Sequence, residues 1–215
     1  MNLNVVLGQQ LPPVTLSLGV ASVTLMCLCS LEVITPLDLY LNWNLVLYEM
    51  QLWRLVTCFL FFGDFGLAFF WNIHVLMHYC CSLEDATFHG KTADFLWMLI
   101  CGAALMLCLT YMFGSEKNLF YSGTLIDIMA YIWSRRNPSA QLLLFFFPIK
   151  ALYLPWVLAC FALLMGSSIK DETMGIFVGH VYFFFEDVYP VLPTSKGFRL
   201  FRTPKLLKVL CRQRD

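Results

Sequence analysis

The sequence predicts an all-α membrane protein, a bundle of six transmembrane helices with a long first loop lying in the membrane. Three observations predict it. Of 215 residues, 60% are hydrophobic and 13% charged, with a mean hydropathy of +0.71, a balance that suits lipid rather than water. Polar turns divide the apolar residues into six runs. The last run, GIFVGHVYFFFEDVYP over 175–190, carries Gly175 and Gly179 four apart on one helix face, where a second helix can approach to backbone contact.

The chain opens on MNLNVVLGQQLPPVT, with no basic leader and no small-residue cleavage site, so neither a cleaved signal peptide nor an organelle presequence is expected. Pro12 and Pro13 stop any helix there, which leaves 1–13 as an N-terminal tail. The first span is Val14–Leu31, closed by Glu32 and Pro36. A connector then runs from Thr35 to Gly66. Its second half, QLWRLVTCFLFFG, has too few apolar residues after Arg54 to cross a bilayer, which needs about 20. An interfacial or re-entrant hairpin fits, with Trp53 at headgroup depth and Arg54 reaching for phosphate or an acid.

The second span, Leu67–Leu83, holds Asn72, His74 and His78. The two histidines sit at i,i+4, but sequence places no third ligand, so no metal is expected. SLEDATFHGKTAD is a polar turn. The third span is Phe95–Phe113, followed by GSEKN, and the fourth is Leu119–Trp133, which contains Ser122, Gly123 and Asp127. QLLLFFFP is too short to cross and is read as interfacial. Leu152–Leu164 makes the fifth span, and the 175–190 run the sixth. With no internal repeat, residues 14–192 form one domain and 193–215 a short basic tail. An acid or a histidine inside a span marks a cavity or a partner. Asn72, His74, Ser122, Asp127 and His180 are therefore candidates for an intramembrane polar cavity, and Asp127 either faces the water of that cavity or pairs with a local histidine or arginine.

Lysine plus arginine and aspartate plus glutamate both number 14, so net charge says nothing about partners, and no nucleic acid is expected. Six spans put both ends on one side. If that side is cytosolic, Lys91, Arg135, Arg136, Lys150 and seven tail residues lie inside, against Arg54, Lys117 and Lys170 outside, as the positive-inside rule requires. Spans four to six are short for a bilayer and should thin it locally. Most of the nine cysteines sit within apolar runs and read as small apolar residues.

At this point the residues resemble a family. LEVITPLDLY (31–40), QLWRLVTCFLFFG (51–63), HGKTADF (89–95), YIWSRRNP (131–138), LPWVL (154–158), GIFVGHVYFFFEDVYP (175–190) and TPKLLK (203–208) are similar to the derlins, rhomboid-like pseudoproteases of the endoplasmic reticulum membrane. The resemblance covers about residues 11–210. It marks Trp53-Arg54 in the first loop and Gly175/Gly179 in the sixth span as signatures of the superfamily, and it makes the fold a rhomboid-like bundle. It implies a role in endoplasmic-reticulum-associated degradation, returning misfolded proteins to the cytosol for the ubiquitin–proteasome pathway under the unfolded protein response. The implied partners are misfolded proteins, a membrane ubiquitin ligase, an AAA ATPase and the lipid bilayer, with a homo- or hetero-oligomer left open. GFRL (197–200) is only a fragment of the tail motif that binds the ATPase, so that contact is expected to be indirect. No cofactor is implied.

An active rhomboid needs a serine in a GxSG motif on its fourth span and a histidine on its sixth. Ser122-Gly123 matches the serine register, but Phe120 stands where the first glycine belongs. The histidine position is Glu172, and His180 lies eight residues on, about 12 Å along a helix. No dyad is expected, and the chain reads as catalytically inactive. Two alternatives stand beside this reading: a derlin paralogue importing proteins across a secondary-plastid membrane, and, last, an active intramembrane serine protease. A small-molecule transporter is disfavoured because paired broken helices and inverted repeats are lacking.

Overall fold

The computed structural model describes residues 11–113, 119–144, 147–164, 166, 168–193 and 199–211. The GSEKN loop, Lys117, most of the N-terminal tail and parts of the basic tail, including Lys196, Arg212 and Arg214, lie outside the described residues. Helix α1 (Pro13–Ser30) begins with proline at its first position, where the missing N–H costs nothing. The first loop follows as three short helical pieces. A 3₁₀ turn at Pro36–Asp38 is closed by Thr35, whose hydroxyl and amide both donate to Asp38 Oδ2 at 2.7 and 3.1 Å. Those two hydrogen bonds hold the Asp38 carboxyl below the usual carboxylate range. Asn42 then caps α2 (Trp43–Tyr48) by accepting from the Asn44 and Leu45 amides. The third piece is α3 (Arg54–Leu60).

The remaining helices are α4 (Leu67–Cys81), running on into a wider turn at Ser82–Thr87, α5 (Thr92–Phe113), α6 (Ser122–Arg136), α7 (Leu154–Leu164) and α8 (Ile169–Phe183). A last short helix, α9, covers Lys205–Leu210. Two of them, α1 and α5, are long and apolar enough to cross a membrane by length and composition. Helix α6 is the axis of the bundle. Its residues from Thr124 to Ser134 are buried on every side, and α3, α4, α5, α7 and α8 all pack against it.

Contacts between helix ends establish the direction in which each helix runs. At one end, Glu84 meets the amides of Val14 and Thr15, Arg136 lies over Phe88, Thr203 donates to Asp94 at 2.6 Å, and Arg136 forks onto Asp187 at 2.9 and 3.1 Å. At the other end, the Leu41 amide donates to the Leu119 carbonyl, the Tyr121 amide to the Cys58 carbonyl, and Trp43 packs edge-on to Tyr111. Helices α1, α4, α5, α6, α7 and α8 therefore alternate in direction, and α6 and α8 run parallel.

Two elements depart from the sequence expectation. The fold is mostly helical rather than all-α, because the stretch read as interfacial pairs with itself. Strands β1 (Gln141–Leu144) and β2 (Phe147–Lys150) form an antiparallel hairpin in the register Gln141↔Lys150 to Leu144↔Phe147. A run too short to span satisfies its backbone locally in this way, and the proline in β2 is tolerated in a two-stranded ribbon. Helix α8 also starts at Ile169, six residues ahead of the apolar run. Asp171 and Glu172 fall in its first turn, where carboxylates favour the helix dipole.

Candidate functional site

The contact between α6 and α8 defines the site. A Cβ built on Gly175 would lie 2.9 Å from Asp127 Cβ and 3.0 Å from Thr124 Cγ2. On Gly179 it would lie 2.9 Å from Tyr131 Cβ. Real Cβ atoms do not approach so closely, so only glycine allows the two helices this separation. Thr124, Asp127 and Tyr131 make one stripe of α6, and Glu172, Gly175 and Gly179 the facing stripe of α8.

That register brings together Asp127 and Glu172, whose exposures are 3% and 5%. The Asp127 carboxyl sits within hydrogen-bonding reach of Glu172. The neighbour of Asp127 in this register is thus an acid rather than a histidine or arginine. A cavity of about 1010 Å³ opens beside the pair, between the loop-facing ends of α4, α6 and α8 and the second half of α7. Asn72, His74, Ser122 and Asp127 line it, together with Asp171 and Glu172. His180 is not among the lining residues. Its Nδ1 lies 2.7 Å from the Tyr131 hydroxyl, which also accepts from Arg135 Nε at 3.0 Å. Tyr131 stands nine residues beyond Ser122 on α6, roughly 13 Å along the axis, so Ser122 and the Tyr131–His180 pair occupy different levels of the bundle. Among the described residues, no group of three or more histidine, cysteine, aspartate or glutamate side chains could hold a metal ion.

The other signature, Trp53-Arg54, closes the first loop. Arg54 is 4% exposed and is turned inward rather than toward headgroups. Its Nη1 donates to the carbonyls of Leu37 and Tyr40 at 2.8 and 3.0 Å, its Nε to Gln51 Oε1 at 2.7 Å, and its guanidinium lies 5.0 Å from the Tyr40 ring centre. Trp53 is half exposed and donates to the Asp38 carbonyl at 3.3 Å. Three of the arginine's rigidly forked donors are used, which a lysine cannot copy. Arg54→Lys should therefore loosen the loop, costing about 1–3 kcal/mol for the lost charged hydrogen bonds. Faster proteolysis within 35–53 would report it, and a cleavage rate equal to wild type would refute the clamp.

Sequence reasoning passed over Glu84, which is 5% exposed. Its carboxylate accepts from the Val14 and Thr15 amides at 3.1 and 2.9 Å and from the Thr15 hydroxyl at 2.8 Å, capping α1 from a distance of 70 residues. No local pattern announces such a contact.

The fold and site thus define a helical membrane protein in which two parallel helices meet through glycines beside an acid-lined cavity. A match to the Der1-like family model spans residues 11–205. The chain is 41% identical over 211 residues to Derlin-2.1 of Zea mays, covering 94% of this chain and 84% of that protein. It is 40% identical to Derlin-2.1 of Arabidopsis thaliana, covering 94% and 85%, and 35% identical to Derlin-1.1 of Zea mays, covering 96% and 84%. The chain belongs to the Der1-like, or derlin, family. These relatives are named as derlins, not as proteases.

Proposed function

We propose that this derlin is a component of endoplasmic-reticulum-associated degradation that helps misfolded proteins pass from the endoplasmic reticulum to the cytosol. The observation that carries the reading is the polar cavity at the loop end of the bundle, beside the glycine-tight α6–α8 contact, in a chain of derlin family. In this reading the six alternating helices cross the endoplasmic reticulum membrane with both termini cytosolic. The cavity then lies on the luminal side, where substrates arrive, and Lys91, Arg135 and Arg136 lie on the cytosolic side. Helix α7 has 11 residues, about 16 Å, against a hydrocarbon core of about 30 Å. Lipid thins to meet so short a helix, which lowers the barrier to polar polypeptide. The first loop, clamped by Arg54, lies in the luminal leaflet. A membrane ubiquitin ligase receives the substrate, and an AAA ATPase engages indirectly.

The chain acts as a pseudoprotease. Glu172 holds the position of a rhomboid base, and His180 is hydrogen-bonded to Tyr131 at another level from Ser122, so the serine and histidine of a rhomboid dyad do not meet. Ser122→Ala should leave the half-life of a misfolded luminal reporter unchanged in cells lacking other derlins. A cleavage product that disappears in this variant would overturn the assignment. Deleting the chain should stabilise the reporter, and the tagged protein should co-purify with a ubiquitin ligase. Normal reporter turnover in the deletion would sink the reading.

A further inference from the structure

The Tyr131 hydroxyl holds two side chains that keep donors to spare. It accepts from Arg135 Nε at 3.0 Å and lies 2.7 Å from His180 Nδ1. A phenol has one proton, and with Arg135 donating to its oxygen that proton goes to Nδ1. The imidazole then carries its own proton on Nε2, as a donor. Both side chains are exposed, and among the described residues neither Nε2 nor the two Nη groups of Arg135 make a hydrogen bond. Because both bond one oxygen, they stand side by side. The guanidinium is further fixed over the Tyr131 ring, 5.1 Å from its centre.

No carboxylate among the described residues pairs with Arg135. The two acids at this end of α8 are engaged elsewhere, Asp187 with Arg136 and Glu186 with Arg199. The neighbourhood of His180 is also apolar. Phe177 stands three residues before it and Phe184 four residues after it, and both are exposed. That stripe belongs to the lipid-facing surface of the bundle. A cation and a donor on such a surface call for an anion at headgroup depth.

We propose that Arg135 and His180, set by Tyr131, hold the phosphate of an anionic phospholipid in the leaflet beside the Arg136–Asp187 end of the bundle. The forked Nη groups suit two phosphate oxygens, and Nε2 offers a third donor. A net-negative headgroup balances the charge of Arg135, which a zwitterionic one does not. The acyl chains lie along Phe177 and Phe184. In the orientation proposed above, this is the cytosolic leaflet, where anionic lipids concentrate. The site needs the chain to be in a membrane and does not depend on the degradation reading.

The test uses the full chain in detergent, with phosphatidylglycerol and phosphatidylcholine of distinguishable mass counted on the protein by native mass spectrometry. Wild-type protein should retain phosphatidylglycerol about tenfold more than phosphatidylcholine, the scale of one charged hydrogen-bonded contact. Arg135→Gln should cut that preference to about twofold, the remainder being the His180 donor. Tyr131→Phe keeps both charges and the ring but frees the two side chains, so the preference should fall to about threefold. Lys205→Gln, an exposed charge on α9, should change nothing. Excess inorganic phosphate should not displace the lipid, whose chains add apolar contact. No preference in the wild type overturns the proposal without any variant. An unchanged preference in Arg135→Gln, or an equal loss in Lys205→Gln, overturns it as well. An unchanged preference in Tyr131→Phe refutes the positioning by tyrosine, and displacement by inorganic phosphate refutes the lipid as the source of the anion.

Discussion

Gly179→Leu will unfold the protein at a lower temperature than any substitution on the lipid-facing side of the same helix. The new Cβ would arrive 2.9 Å from Tyr131 Cβ, an atom fixed to the backbone of α6. It cannot swing aside as a side-chain tip does, so the helices must separate. Overpacking of this kind typically costs about 1–3 kcal/mol, and a rigid partner puts it at the upper end of that range. Separation also pulls His180 from Tyr131, now 2.7 Å apart, so the loss extends beyond the glycine itself. Gly175→Leu should behave alike, because its Cβ would meet Asp127 and Thr124. The matched control is Phe177→Leu, since Phe177 is exposed, whereas Ile176 is buried against Tyr131 and Ala159. Thermal unfolding in detergent and reporter half-life in cells supply the comparison. Equal melting temperatures for Gly179→Leu and Phe177→Leu would show that the close contact carries no weight.

Glu84→Ala should be nearly as damaging, for a different reason. The substitution strips two amides and a hydroxyl at the start of α1 of their common acceptor. Each buried donor left without a partner costs about 1–3 kcal/mol, and water entering the space of the lost carboxylate takes up part of the three, so a loss of about 2–4 kcal/mol is expected for the two amides and the hydroxyl together. Glu84→Gln keeps one oxygen to accept and should recover part of the loss. Hydrogen exchange of the Val14 and Thr15 amides reads the cap directly, and protection equal to wild type in Glu84→Ala would refute it.

These two cases also mark where sequence reasoning stops. The glycine spacing is a local signal, because four residues on a helix fix a face before anything is known of the neighbour. Which side chains that face meets is not local. Pairing Glu172 with Asp127 requires knowing that α6 and α8 run parallel and in which register, and neither helix carries that information alone. Glu84 is harder still, since its partners lie 69 and 70 residues away and an acid in a polar turn reads as solvated. Arg54 showed as an oddity inside an apolar run, but its carbonyl partners come from loop backbone, which has no residue signature. The hairpin was hidden by composition, as an apolar run ending in proline looks interfacial. Helix existence was legible because polar turns separate the apolar runs, two of which, α1 and α5, are also long. Boundaries such as the start of α8 moved because buried polar partners extended the helix beyond its apolar stretch.

The Arg136–Asp187 fork has a mechanical consequence. Together with Tyr131–His180 it ties the end of α6 to the end of α8 and the turn beyond it, while the first turns of the same helices flank an open volume. The pair is built like tongs held at the rivet. Any change in spacing is small at the tied end and grows with distance from it. Over the 15 residues of α8, about 22 Å, a splay of about 5° moves the free tip by about 2 Å. The grip of the tongs is therefore adjusted where Asp171 and Glu172 sit, while the ends beside Arg136 and Asp187 stay still.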